Sequence, residues 1–218
     1  MDYNQLSFAV RLLDPLKDQP PVSINRRTIE RIPCVETERL LQLFFGDSQK
    51  SFLSRNDVLK RKNRDRELFT LTVLFWGFPG NQHNVCTHAF LSWNHLTAWC
   101  RGIGRVRNIT PQQYALISQQ MQNLHGLGIS TFSKLFYYSS NSIDGHPCLI
   151  LDNQVAKGIQ LLQGPEFIEL KDAVAPNHYR KYQNYPLYLA AMDNLANRLT
   201  VSGDRIEYVL WLAGKKRL

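Results

Sequence analysis

LHGLGIS, residues 124–130, sets two glycines two apart between two helical patterns. Upstream, Thr110-Pro111-Gln112-Gln113 has the order of a helix start. A hydroxyl can accept from the third helical amide, proline fits the first position, and glutamine can close the box. Tyr114, Ile117, Met121 and Leu124 follow at spacings of three and four and make one apolar stripe. Beyond the glycines, Ile129, Phe132, Leu135 and Phe136 make another. The stretch therefore predicts helix, tight hairpin, helix. Gly126 and Gly128 permit positive φ and leave the backbone bare. Amides of Leu127, Gly128, Ile129 and Ser130 can then face an anion. Such a device grips a phosphodiester backbone without reading its sequence. A C-capping glycine followed by a spacer is the plainer alternative.

Charge agrees with the first reading. The chain has 218 residues, with 26 Lys and Arg against 18 Asp and Glu, a net charge of +8. A basic balance of this size suits a polyanionic partner, nucleic acid or a membrane surface, or serves solubility alone. The length suits one domain or two closely packed lobes, with 1–64 as an N-terminal segment of weaker pattern and 110–164 as the hairpin region. Hydrophobic residues reach 44%, enough for a sizeable core. No window approaches the roughly 18 uninterrupted apolar residues of a membrane span. MDYNQLSFAVRLLDPLKD does not read as a secretory signal, because Asp2 and Arg11 interrupt it, so a cytoplasmic protein is expected. Cys34, Cys86, Cys100 and Cys148 are far apart with no CxxC, so no metal site and no cofactor is expected.

Other segments read more coarsely. ETERLLQLFF, residues 36–45, predicts a short amphipathic helix ended by Gly46. LFTLTVLFWGF, residues 68–78, fits a strand by its β-branched residues and a buried helix by its length; helix is preferred. Pro186 opens a helix whose apolar side includes Leu187, Ala191, Leu195 and Leu199. Asp204 caps a last helix through Ile206, Val209, Leu210 and Ala213, ended by Gly214. The fold class is mostly α, a helical bundle. Lys60, Arg61, Lys62 and Arg64, then Arg101, Arg105 and Arg107, are candidate phosphate contacts or simply solvated charge.

After the second helix comes CLILDNQVAKGI, residues 148–159, an apolar run that delivers Asp152 to the start of another helix. Asp152 there reads as an N-cap. The order of hairpin, helix, loop, apolar run, Asp and helix resembles the helix-hairpin-helix DNA glycosylase superfamily. Within it, LFWGFPGN at 74–81, GISTFSKLFYY at 128–138, LILDNQVA at 149–156 and IEYVLWLAG at 206–214 are similar to small bacterial 8-oxoguanine glycosylase-like proteins. The resemblance covers about residues 65–214.

That resemblance implies DNA as partner and N-glycosidic bond cleavage at a flipped, oxidised purine such as 8-oxoguanine. It gives Asp152 the task of stabilising the cationic sugar or activating water. Bifunctional members carry a nucleophilic lysine at the position of Ser130. The nearest lysine, Lys134, lies off the apolar stripe and reads as a solvated surface residue, with a displaced nucleophile facing the cleft as the alternative. Monofunctional excision is therefore preferred over lyase chemistry. The loop SSNSIDGH, 139–146, is longer than usual. Trp76 and Phe78 are candidates for the base pocket, Trp76 also reading as plain core. Tyr182, in HYRKYQNY at 178–185, is a candidate stacking residue or part of a wet interhelical loop. The resemblance also admits a protein that binds a modified guanine or nucleic acid without excision, alongside other proteins of an antiphage defence (CBASS-type) operon.

Overall fold

A computed structural model describes residues 1–30, 37–61, 65–79, 82–124, 126–175 and 182–218. Lys62, Arg64, Cys34 and the HYRK portion of the aromatic-basic stretch lie outside the described residues. The N-terminal part contains α1 (Tyr3–Leu12), α2 (Pro15–Asp18), β1 (Val22–Asn25), α3 (Arg26–Glu30), α4 (Thr37–Phe45), β2 (Lys50–Leu53) and α5 (Arg55–Arg61). Then come α6 (Arg66–Gly77), α7 (Gln82–Leu91), α8 (Trp93–Ile103), β3 (Asn108–Ile109), α9 (Pro111–Gln122) and α10 (Ile129–Ser139). β4 (Ser142–Ile143), β5 (His146–Pro147), α11 (Asn153–Gln160), α12 (Ile168–Ala173), α13 (Tyr185–Leu199) and α14 (Gly203–Gly214) complete the chain. The protein is mostly α. β1 pairs antiparallel with β2, and β3, β4 and β5 form a second small sheet.

The ambiguous run at 68–78 is helical and central. Asp65 caps α6 by accepting from the amides of Glu67 and Leu68, both at 2.9 Å. Every residue from Phe69 to Trp76 is buried. A helix buried all round carries no amphipathic period, which is why its pattern matched a buried strand equally well. α9 starts on the expected box: Thr110 Oγ1 accepts from Gln113 N at 3.3 Å and Gln113 Oε1 from Thr110 N at 2.9 Å. The 139–146 loop is a compact hairpin. Asp144 and Gly145 both have positive φ, 52° and 84°, as a two-residue turn of a twisted ladder demands.

Two expectations near the C-terminus need correction. Leu187 is 60% exposed. The buried side of α13 is Tyr185, Tyr188, Leu189 and Met192 with the expected Ala191, Leu195 and Leu199, because large aromatics so close to Pro186 claim the core-facing positions. Asp204 does not cap α14: Ser202 holds the cap position and Asp204 lies inside the first turn, where its charge still suits the positive helix end.

Two buried elements position the site. The first is 148–151, an extended stretch without a regular ladder, whose polar groups are met by side chains. Tyr185 donates to the Leu149 carbonyl at 2.6 Å and Tyr188 to that of Ile150 at 2.9 Å. Ile150 N donates to Glu207 at 3.3 Å and Leu151 N to Ser133 Oγ at 3.0 Å. Buried backbone without such partners would be costly, so this run is fixed in place. The second element is the contact of α11 along α14. It is close because both helices are bare where they cross: a methyl on Gly158 would overlap the carbonyl of Leu210, and one on Gly214 the carbonyl of Gln154.

Since that obstacle is backbone, it cannot swing aside. Gly158→Ala should cost about 3 kcal/mol by overpacking, which lowers the melting temperature of a chain this size by about 10 °C. Thermal melts of the variant against the parent check this.

Candidate active site

The hairpin is built as its sequence suggests, but its glycines differ in duty. Gly126 takes φ 76°, and its Cβ would strike the ring of His88 on α7, so the fold by itself requires glycine there. Gly128 takes φ −112° at the N-cap of α10, and a Cβ there would meet nothing. Among the described residues no side chain caps α10. Gly128 and Ser130 reach solvent, while the side chains of Leu127 and Ile129 are buried and anchor the loop. Tyr182 braces it from behind: its hydroxyl donates to the Leu127 carbonyl at 2.9 Å, and its ring packs edge-on against Phe132.

Beside α10 opens a cleft of about 460 Å³ lined by Trp76, Gly77 and Phe78 from α6 and its C-cap, Ser130 and Lys134 from α10, Asp152, and Glu207 and Trp211 from α14. Gln19 and Val22 extend the lining into the N-terminal part. Trp76 is 5% exposed and stacks edge-on against Tyr138, so it is core and wall at once. Tyr182 does not line the cleft. Arg105 and Arg107 are exposed in the connection between α8 and α9, also away from it.

Lys134 is not a surface residue. It is 2% exposed, and its amine contacts Ser130 Oγ at 2.8 Å, the Ser130 carbonyl at 3.0 Å and Asp152 Oδ2 at 3.8 Å. Helical side chains lean toward the N-terminus, so a lysine at 134 delivers its amine one turn back, to the level of Ser130. The helical wheel placed Lys134 off the apolar stripe correctly; what it lacked was that the flank is covered by α6. Gly77 makes the room, because a Cβ there would stand 2.6 Å from Lys134 Cδ. Phe78 closes over the amine, 4.6 Å from its ring centre.

Asp152 divides its work between two oxygens. Oδ1 accepts from the amides of Gln154 at 2.9 Å and Val155 at 3.0 Å, capping α11. Oδ2 is left toward Lys134. The N-cap reading and the cleft-facing reading therefore describe the same side chain.

Behind these two lies a second charged pair. Arg55 Nη2 donates to both oxygens of Glu207 at 2.9 Å, and Arg55 is 1% exposed. Its guanidinium lies over the rings of Tyr137 at 4.7 Å and Trp76 at 5.8 Å. Burial works against the Arg55 cation, but Glu207 and the neighbouring tyrosines outweigh it, and Arg55 stays charged. Burial pushes the Glu207 carboxyl up to about 7, with Arg55 pulling the other way. Burial likewise lowers Lys134 from its usual 10.5; Asp152 and Glu207 oppose the shift and Arg55 adds to it. The result is an amine poised to lose its proton more readily than a surface lysine.

Gly77, Arg55, Glu207 and Trp211 were not singled out by the sequence. For Glu207 a signal existed: it is the one acid in the otherwise apolar buried face of IEYVLWLAG. Arg55, 152 residues away, had none.

A lysine lowered by folding leaves the unfolded chain with more bound protons, so stability rises with pH from the folded value up to 10.5. The parent should therefore gain stability relative to Lys134→Met as pH climbs toward 10.5. Parallel melts across that range measure it; equal slopes would mean an unperturbed amine.

Comparison with known proteins adds the family. Residues 17–211 match the family model described as "Putative 8-oxoguanine DNA glycosylase OGG-like protein". The match extends well N-terminal of residue 65, in keeping with the Gln19, Val22 and Arg55 contacts to the site. No curated protein and no solved structure matches the chain. Among the described residues no group of His, Cys, Asp and Glu could hold a metal, and no helix is long and apolar enough to cross a membrane. By its sequence match over nearly its whole length, the chain belongs to the 8-oxoguanine DNA glycosylase OGG-like family.

Proposed function

We propose that the protein is a DNA glycosylase that excises an oxidised purine such as 8-oxoguanine, with Lys134 as nucleophile and Asp152 as the stabilising carboxylate. The observation that carries this reading is the Lys134 amine and the Asp152 carboxylate 3.8 Å apart in one partly dry cleft. It reverses the preference for water as nucleophile, which rested on Ser130 standing where other members have lysine.

The chemistry follows from the groups. The neutral amine attacks C1′ as the bond to the base breaks; the base leaves with the bonding pair and receives a proton from the new ammonium. Positive charge building on the sugar is met by Asp152 Oδ2, whose partner oxygen is immobilised by two amides and so needs no reorganisation. Ring opening then moves the C1′–O4′ electron pair to O4′, which takes a proton from water, and leaves a protonated imine between Lys134 and C1′. The hydroxide so formed, or water, removes a proton from C2′, and the 3′ phosphate departs with its bonding pair, which cuts the strand. The extruded base needs flat walls, and Trp76, Phe78 and Trp211 offer them in the same cleft. The hairpin supplies a phosphate grip near the mouth, through the uncapped start of α10.

Borohydride trapping on a duplex with one 8-oxoguanine tests the assignment. A covalent protein–DNA adduct is expected from the parent and none from Lys134→Gln. Asp152→Asn, which keeps the helix cap, should slow excision about 100-fold, the typical cost of one preorganised electrostatic contact. Base loss revealed only by alkali, with no adduct, would return the chemistry to Asp152 and water.

The hairpin is tested separately. Gly128→Val has open space and an accessible φ, so the fold should survive. DNA affinity should fall about tenfold, the loss of one charge-assisted contact. Filter binding with a normal melting temperature measures both.

A further inference from the structure

A second concavity, larger than the cleft, lies between α8 and α9. This groove has a volume of about 720 Å³. Trp99, Ile103 and Leu124 give it an apolar floor, and Gln113, Gln120 and Asn123 bring three side-chain amides to it. The Trp99 indole N–H has no acceptor within the described protein. Exposed Arg101, Arg105 and Arg107 are chain neighbours of the lining residues Gly102, Ile103 and Val106, without themselves lining the groove. No Asp or Glu occurs between Glu67 and Asp144, so both helices that form the groove are free of acids. The segment carrying Arg105 and Arg107 is held in place, since Asn141 Nδ2 donates to the carbonyls of Ile103 and Val106.

The groove is continuous with the hairpin. Asn123 and Leu124 line it, and Gly126 opens the hairpin two residues later. The chain that lines one end of the groove thus runs directly into the hairpin. An apolar floor alone would suit an aliphatic chain or an amphipathic helix. Amides above such a floor, with arginines and no acids outside it, match a flat π-face, a donor–acceptor edge and a phosphate together.

We propose that the α8–α9 groove takes an unpaired nucleobase of the strand held by the hairpin, its edge on Gln113, Gln120 or Asn123 and its flanking phosphates on Arg105 and Arg107. This rests on the DNA-binding part of the function proposed above. It extends the substrate class to duplexes with an unpaired nucleotide beside the bound site.

Gly102 gives a clean test. It is helical, exposed and lines the groove, and a Cβ there would meet nothing, so Gly102→Trp can start into the groove without a backbone clash. The probes are one labelled duplex, blunt or carrying a short unpaired purine tail on either the 3′ or the 5′ strand. Anisotropy titrations of the parent should show one tail adding about tenfold in affinity, as expected of one stacked base. Gly102→Trp should lose that gain and keep the blunt affinity, with Gly102→Leu as a smaller plug should the first variant fold poorly. Replacing Arg105 and Arg107 with Ala should flatten the salt dependence of the gain. If neither tail strengthens parent binding, or the plugged variants keep the gain, the groove has another occupant; a dimer that the plug dissociates would make that occupant a second copy. Failure to bind the blunt duplex at all would overturn the hairpin reading itself, and this proposal with it.

Discussion

Everything in the cleft depends on burying charge in balanced form. Two cations, Arg55 and Lys134, and two carboxylates, Glu207 and Asp152, are drawn together from four parts of the chain. Any one of them alone would carry a desolvation penalty far above its worth. The inner pair is structural in its consequences. Arg55 fixes Glu207, Glu207 accepts from Ile150 N, and Tyr188 donates to the Ile150 carbonyl, so the run from 148 to 151 is tied down on both its donor and its acceptor side. Asp152 is the next residue. The carboxylate that faces Lys134 is thus aimed by a chain of contacts that starts in α5, near the other end of the sequence.

The outer pair is less tightly satisfied than the inner one. At 3.8 Å the Lys134–Asp152 contact is looser than the bidentate contact behind it, and the amine leans on Ser130 instead. Arg55 opposes the ammonium from within while burial removes water from it. A lysine held between incomplete partners keeps its reach and loses part of its preference for the charged form. The hairpin and the cleft differ accordingly: uncapped amides lie at the surface, while the amine and the carboxylate face one another inside.

The sequence carried the local devices well. The capping box at Thr110, the hairpin glycines, the stripes of α9 and α10 and the N-cap at Asp152 depend on neighbours within a few residues, and all are legible there. It carried poorly whatever depends on a distant neighbour. Lys134 reads as solvated because its own helix offers it only Ser130, one turn back; α6 covers it, and α6 hides its orientation by being apolar on every side. Leu187 was misassigned because proline and two tyrosines compete for one helix face. Arg55 and Glu207 recognise one another only after folding. The family match reaches back to residue 17 and so takes in Arg55 as well as Glu207.

The crossing of α11 and α14 has a consequence for how such a cleft can change over generations. Asp152 stands at the head of one helix and Glu207 and Trp211 lie on the other, and the two touch through backbone carbonyls at Gly158 and Gly214. That jaw of the cleft has its spacing set by main chain, which no side-chain substitution can widen or narrow gradually. The opposite jaw, Trp76 to Pro79, is made of side chains and a helix end. New ligand preferences in relatives sharing this crossing should therefore accumulate on the α6 side, while the α11–α14 side drifts little.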